Sequence, residues 1–316
     1  MMFRNFSTFS SRRYLIAVAA SALLGTILLS GVSLAGLRYG LLDFAFNDLY
    51  RYQLAKLDSR KQIDVVFVGD SSLGNSIDAQ YLSGRTGLPA INLALTGAYG
   101  YGGTLNMLRR AVAVFHPKVV VIVQTADMLT RGNAHEGFIH TVLDANELLT
   151  VPPRDVLAVV ANLDNIVSML RRLVRSTGVL SNTFDNDYIR QSSPLDSHRS
   201  FGALDPASIN PIQLEYIKRI AQYCRDAGTR CIYAHGPLVD RPCKHSEGYF
   251  REANAFLGKA GLSVVAGTPV CIPAEAIGDA PDHVAPTHKH QFTDLYLDLL
   301  SKDVPLLGWR ANAPVQ

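Results

Sequence analysis

The chain has 316 residues, of which 48% are apolar and 18% charged, with a formal net charge of +3. That apolar share supplies a large globular core and excludes an intrinsically disordered chain. The small charge argues against nucleic-acid binding, because Arg4, Arg12 and Arg13 precede an apolar run instead of forming a patch that could follow phosphates.

From Tyr14 to Leu37 no charged residue interrupts an Ala/Leu/Val/Ile-rich stretch. About twenty such residues cross a hydrocarbon core of about 30 Å as a helix. Residues 14–37 are therefore expected to form a transmembrane helix and residues 1–13 a cytoplasmic N-terminus. Three arginines with no acidic residue before the run place everything after Leu37 outside, so the expectation is a single-pass protein of the cytoplasmic (inner) membrane with a periplasmic domain. A signal peptide cleaved at Ser33-Leu34-Ala35 is the competing expectation, although the run exceeds the usual apolar length of such signals. Residues 38–61 read as a juxtamembrane helix and linker, with mixed apolar and charged residues over 41–60 and the role of a spacer.

From residue 62 to 316 short apolar runs alternate with amphipathic segments, the pattern of a parallel sheet buried on both faces. Strands are expected at Ile63–Gly69, Ala90–Leu95, Lys118–Thr125, Arg230–His235 and Leu262–Ala266. Helices are expected at Gly103–Phe115, at Pro211–Ala227 between an Asn210 N-cap and a Gly228 C-cap, at Ser246–Gly261 and at His288–Ser301. Right-handed crossovers between them give a flavodoxin-like three-layer α/β/α sandwich, with its ligand site at the carboxyl ends of the strands. Residues 128–209 exceed what a crossover needs and form an insertion. It holds an expected helix over Arg154–Arg175 and a polar stretch over Ser181–Ser200, and is either a lid or docking element or a surface decoration.

The four cysteines all fall in the last third, and an even count in an oxidising compartment suits disulfides. Cys224 and Cys231 bracket a helix-to-strand turn, while Cys243 and Cys271 each follow an expected strand, so the favoured pairing is 224–231 with 243–271. No CxxC or paired-histidine spacing supports a zinc site, and neither metal nor cofactor is expected.

The chemistry concentrates in two places. Val65 to Val68 is an apolar strand ending in Gly69-Asp70-Ser71-Ser72-Leu73, and a serine at such a strand-to-helix turn stands exposed above the sheet beside backbone amides that can bind an oxyanion. The alternative is that Asp70, Ser71 and Ser72 only cap a helix. Near the C-terminus stands Asp279-Ala280-Pro281-Asp282-His283, an imidazole that a carboxylate on the same loop can hold in one tautomer as a general base.

These segments resemble the SGNH (GDSL) hydrolase superfamily over residues 62–302, the insertion excepted. Gly69-Asp70-Ser71-Ser72-Leu73 is similar to its first block, which implies Ser71 as nucleophile. Asn92-Leu93-Ala94-Leu95-Thr96-Gly97 is similar to its second, which implies that the Gly97 amide joins that of Ser71 in the oxyanion hole. The last block, Asp-x-x-His in that family, is matched with one extra residue, so Asp279 or Asp282 orients His283. The third block, Gly-x-Asn-Asp, falls on Gln124-Thr125-Ala126-Asp127 and puts Ala126 where the family has an asparagine donor; Gln124, Thr125, Asn75 or a residue of the insertion would have to replace it. Membrane-anchored members of similar build imply O-acylation of a cell-surface polysaccharide, typically O-acetylation, beside a membrane-bound O-acyltransferase partner. The alternative is a non-catalytic scaffold or glycan-binding subunit.

Asp70, Asn75, Tyr99 and Asp127 are further candidates for contacting substrate. The glycine-rich Gly97–Gly103 segment lacks a nucleotide-loop lysine and instead suggests close backbone approach to an acyl or sugar group, with Tyr99 or Tyr101 as a stacking wall. His116 reads as part of a structural turn, and His135, His140 and His198 as solvated groups of the insertion. His288 and His290 read as surface or rim groups.

Overall fold

The computed structural model describes residues 11–38, 44, 47–58, 62–160, 162, 167, 195 and 201–305. Five parallel strands form the central sheet: β1 (Val65–Gly69), β2 (Ala90–Ala94), β3 (Val119–Gln124), β4 (Arg230–His235) and β6 (Ser263–Val265), in the order β2-β1-β3-β4-β6. β5 (Leu238–Val239) and β7 (Cys271–Ile272) form a separate parallel pair beyond the end of β4.

Alternation along β1 shows why the sheet carries two cores. Val65 and Phe67 face one side, with Leu73 of α3 (Ser71–Ser76), Ile77 just beyond it, Leu82 of α4 (Ala79–Thr86) and Tyr296, Leu297 and Leu300 of the last helix, α11 (Lys289–Asp303). Val66 and Val68 face the other, with α5 (Gly100–Phe115), α8 (Pro211–Asp226) and α10 (Glu247–Ala260). Both faces are therefore covered, as the uninterrupted Val/Ile runs require. The order reverses between β1 and β3, which opens a crevice at the carboxyl ends of these two strands.

Helix ends follow the local chemistry. Asn210 caps α8 by accepting from the Ile212 amide at 3.0 Å, with Pro211 in the first turn, and Gly228 turns the chain beyond the helix with φ +63°. α11 runs to Asp303, a little past its expected end.

The helix α1 (Ser11–Arg38) is apolar and exposed over most of its length, and Arg12–Leu37 is long and apolar enough to cross a membrane. Its last turns differ: Ser33 and Leu37 are buried, and Ser33 Oγ donates to the Val160 carbonyl at 2.6 Å. α2 (Asn47–Leu57) is more than a spacer. Lys56 Nζ donates to the Asn92 carbonyl and Gln53 Nε2 to the Ala94 carbonyl at 2.7 Å, so this helix satisfies the free edge of β2.

Within 128–209 the described elements are α6 (Ala134–Thr141), α7 (Pro153–Val160) and short 3₁₀ turns, with α6 packed along α5. The helix expected over Arg154–Arg175 is described only to Val160 in that run, and the polar stretch Ser181–Ser200 and His198 lie outside the described residues apart from Leu195. Disulfides join Cys224 to Cys231 and Cys243 to Cys271. Cys243 lies in the short helix α9 (Asp240–His245) and Cys271 in β7 itself.

Candidate active site

β1 ends at Gly69, whose missing side chain lets the strand pass against the Val123 carbonyl of β3. Asp70 follows, buried, as the N-cap of α3. Its Oδ1 accepts from the Ser72 amide at 3.0 Å and the Ser72 hydroxyl at 2.5 Å, and its Oδ2 accepts from the Thr125 amide at 2.9 Å. Asp70 thus ties the end of β1 to the end of β3 across the crevice, and its burial corrects the expectation that it contacts substrate. Burial and the nearby charge of Asp282 raise its pKa to about 6, against the hydrogen bond of Ser72 and the charge of Arg131.

Ser71 and Ser72 separate in role. Ser72 is fully buried, whereas Ser71 at the first position of α3 is only partly covered and its hydroxyl makes no hydrogen bond among the described residues. The helix start gives a hydroxyl there a setting of unpaired amides.

His283 sits on a loop closed on itself. Ile277 pairs with Val284, the Gly278 amide donates to the His283 carbonyl at 2.7 Å, and the Val239 amide of β5 donates to the Pro281 carbonyl at 2.8 Å. Since β5 follows β4, and the Gly236 amide donates to the Gln124 carbonyl at 2.6 Å, this loop lies at the same end of the sheet as Ser71. His283 Nδ1 is 2.7 Å from Asp279 Oδ1, and Nε2 is 4.0 Å from Asp282 Oδ1. Of the two aspartates it is therefore Asp279 that orients the ring. Burial works to lower the His283 pKa, but the Asp279 hydrogen bond and the charges of Asp282, Asp279 and Asp70 outweigh it, and the net shift is upward. Ser71 Oγ and the imidazole are not hydrogen-bonded to each other.

The third side of the site comes from the turn after β3. Ala126 is buried and has no side-chain donor, and its carbonyl accepts from the Tyr249 hydroxyl at 2.5 Å. Gln124 points into the core, donating to Thr104 Oγ1 at 2.5 Å, and the Thr125 hydroxyl donates to Asp127 Oδ1 at 3.1 Å. Asn75 is fully buried in α3 and its side-chain amide has no hydrogen-bond partner among the described residues. Asp127 is partly exposed and holds Arg131, whose Nη2 donates to both carboxylate oxygens at 2.9 and 3.1 Å. The Arg131 guanidinium lies against Gly97, where an added Cβ would overlap Nη1. Asn133 Nδ2 donates to the Gly97 carbonyl at 2.7 Å and fixes the same residue from the other side. Sequence reasoning missed Arg131; its only signal was the i,i+4 spacing from Asp127.

No known family model matches the chain, and no curated protein does.

The site therefore stands on its own geometry. Around Asp70, the chain neighbour of Ser71, it brings together Asp282, His283 with Asp279, and Asp127 with Arg131, whose guanidinium lies against Gly97. Tyr99 and Tyr101 belong elsewhere. Tyr99 is buried against the rings of Phe44 and Tyr50, and the Tyr101 hydroxyl lies 2.7 Å from that of Tyr233 in the core, so neither forms a wall for substrate. His140 is also buried, stacked on Phe44 at 4.1 Å, and burial lowers its pKa to about 4, which corrects its reading as a solvated group. His135 Nδ1 lies 2.9 Å from the Tyr216 hydroxyl. His116 is exposed and ends α5 in a left-handed turn, while His290 stacks on Tyr81 at the surface. The insertion reaches the site from both ends: Arg131 and Asn133 contact Gly97, and the Leu195 amide donates to the Gly278 carbonyl of the histidine loop at 2.7 Å.

Proposed function

We propose that the chain is an SGNH-like serine esterase or O-acyltransferase of the extracytoplasmic face of a membrane, acting on O-acyl groups of a cell-surface polysaccharide. The observation that carries this reading is the Asp279–His283 pair, held by a closed loop at the sheet end where Ser71 stands partly exposed. With Nδ1 committed to Asp279, Nε2 is the nitrogen left to take a proton. Ser71 Oγ bonds to the ester carbonyl carbon as its proton passes to Nε2, and the carbonyl electron pair moves onto oxygen. Collapse breaks the bond to the leaving oxygen, which takes from His283 the proton that came from Ser71 and departs as the alcohol. Water or a sugar hydroxyl then repeats the sequence on the acyl-serine. The amides of Ser71 and Gly97 are assigned to the oxyanion. A polysaccharide acceptor, acetyl as the acyl group and a membrane-bound O-acyltransferase partner are supported by the resemblance of the motifs together with the apolar helix α1.

The test is labelling of the full chain by a fluorophosphonate. Labelling that is abolished in Ser71→Ala and slowed at least a hundredfold in His283→Ala supports the reading; an inert wild-type chain overturns it. Ala126 at the donor position and the missing Ser71–His283 hydrogen bond favour a second reading, a scaffold that binds glycan without turnover. Glycan retention by a chain that fluorophosphonate does not label selects it.

A further inference from the structure

We infer that Arg131 supplies the oxyanion donor that Ala126 cannot; this rests on the acyl-transfer reading above. Three observations converge on it. The guanidinium occupies the space that any side chain at residue 97 would fill, so the glycine at this position is what gives Arg131 its seat. Nη2 is committed to both oxygens of Asp127, whereas Nη1, the nitrogen against Gly97, makes no hydrogen bond among the described residues. The charge is balanced in place by Asp127, Asp70 and Asp282, all of which act on Arg131. A cation neutralised in this way does not attract an anionic ground state strongly. It is left with a donor aimed beside the Gly97 amide, where negative charge develops only as the tetrahedral intermediate forms. Asp127, which the sequence suggests as a substrate contact, becomes a positioning residue that fixes the guanidinium through Nη2.

The balance of the step is unchanged: Ser71 Oγ bonds to carbon, its proton goes to His283, and the electron pair placed on the carbonyl oxygen is met by an Nη1 hydrogen. p-Nitrophenyl acetate hydrolysis by the full chain in detergent tests this. Arg131→Ala is expected to lower kcat by about 10²–10³-fold with KM little changed, and added guanidinium or ethylguanidinium at millimolar concentration is expected to restore part of it. Such rescue does not follow from a merely structural role. Arg131→Ala turnover within threefold of wild type, or no rescue in a variant that melts like wild type, overturns the inference. If Arg131→Ala does not fold, Arg131→Lys replaces it: a tenfold or greater loss of kcat at an unchanged melting temperature supports the inference, and an unchanged kcat overturns it. Wild-type turnover that Ser71→Ala does not abolish instead removes the acyl-transfer reading, and this inference with it.

A separate observation supports a second inference: we propose that the leucines beside the exit of α1 rest in a lipid bilayer. Ser33, bonded to the Val160 carbonyl of α7, lies four residues before the end of the apolar stretch at Leu37, which is about 6 Å along a helix. The domain is therefore docked within the level of that stretch. Leu34 and Leu37 also line a groove with Val142, Leu143 and Leu148, and Asp144 is its one charged residue. Continuous with this contact, Leu149 is 87% exposed and Leu157 52% exposed. An apolar face joined to a membrane-crossing helix fits hydrocarbon, with the exposed Arg154 of α7, paired to Asp155 at 3.4 Å, at its polar margin.

The test uses the full chain in phosphatidylcholine nanodiscs, with single tryptophans introduced as Leu149→Trp, Leu157→Trp and, on the far face of the sheet, Leu295→Trp, each in a Trp309→Phe background. Lipids brominated in the acyl chain are expected to quench the first two at least twofold more than the third. Equal quenching at all three, or blue-shifted but unquenched emission at 149 and 157 that signals a protein cover, overturns the proposal.

Discussion

His283 Nδ1 lies 2.7 Å from Asp279 Oδ1, while Nε2 faces Asp282 at 4.0 Å. The imidazole is flanked by carboxylates on both nitrogens, and its raised pKa follows from them. A general base works in its neutral form, so the acid limb of p-nitrophenyl acetate turnover is expected above the ordinary histidine value of about 6.5. Asp279→Asn removes a charge and an acceptor. It is expected to move the limb to lower pH and cut kcat by about 10²–10⁴-fold. A limb that stays in place after this substitution counts against the pairing. The stability term has a definite sign: with a raised folded pKa, the contribution of His283 is full below the unfolded value and is lost as pH rises through the folded one.

Much of the architecture was legible because buried parallel strands leave an unmistakable trace. Arg230–His235 was expected and found without change, and Ile63–Gly69 was trimmed only to Val65–Gly69. The short helices α3 and α4, with six and eight residues, carry too few turns to show a period. β5 and β7, at two residues each, exist because tertiary contacts hold them. In the site, Ser71 and His283 could be named from local patterns. Arg131 could not, since its meaning depends on the turn after β3 folding back over Gly97. Tyr99 and Tyr101 were misread because glycines beside aromatics also suit a helix start packed tightly into a core, as Gly102 does against α6.

Two buried histidines act on stability in the opposite sense to His283. Burial lowers His140 and His235 to about 4, the latter bonded through Nε2 to Asn254 Oδ1 at 2.8 Å. Their contribution is present above the unfolded value of about 6.5 and is lost as pH falls through the folded value. Asp70, raised to about 6, opposes them: its contribution is full below about 3.9 and is lost as pH rises through the folded value. His140→Phe keeps a ring on Phe44 and removes one of these titrations. Urea unfolding is expected to show the stability of this variant gaining on wild type between pH 6.5 and pH 4; a difference independent of pH rejects the assignment.

The two disulfides are expected to differ in what they protect. Cys243–Cys271 closes 28 residues and pins β7, which pairs with β5, the seat of the histidine loop. Cys224–Cys231 closes 7 residues at the start of β4, away from the site. Loop entropy assigns about 3–4 kcal/mol to the first and about 2 kcal/mol to the second. Cys243→Ser with Cys271→Ser is expected to lower both stability and turnover, whereas Cys224→Ser with Cys231→Ser lowers stability alone. Chemical denaturation alongside ester hydrolysis checks both, and equal losses of turnover would remove the link between the first disulfide and His283.

Glycine substitutions separate a structural contact from a chemical one within the same few ångströms. At Gly69 an added Cβ would overlap the Val123 carbonyl, a backbone atom inside the sheet that cannot yield without moving β3. At Gly97 it would overlap only Arg131 Nη1, the far end of a flexible, partly exposed side chain. Gly69→Ala is therefore expected to cost stability, by about 1–3 kcal/mol or more, with a lowered melting temperature accompanying any loss of turnover. Gly97→Ala is expected to leave the melting temperature close to wild type while lowering kcat about as far as Arg131→Ala does, because it displaces the guanidinium. Combining Gly97→Ala with Arg131→Ala should then add little to either single change. Additive losses in that double-mutant cycle would mean that Gly97 serves the reaction through its own amide, independently of the arginine above it.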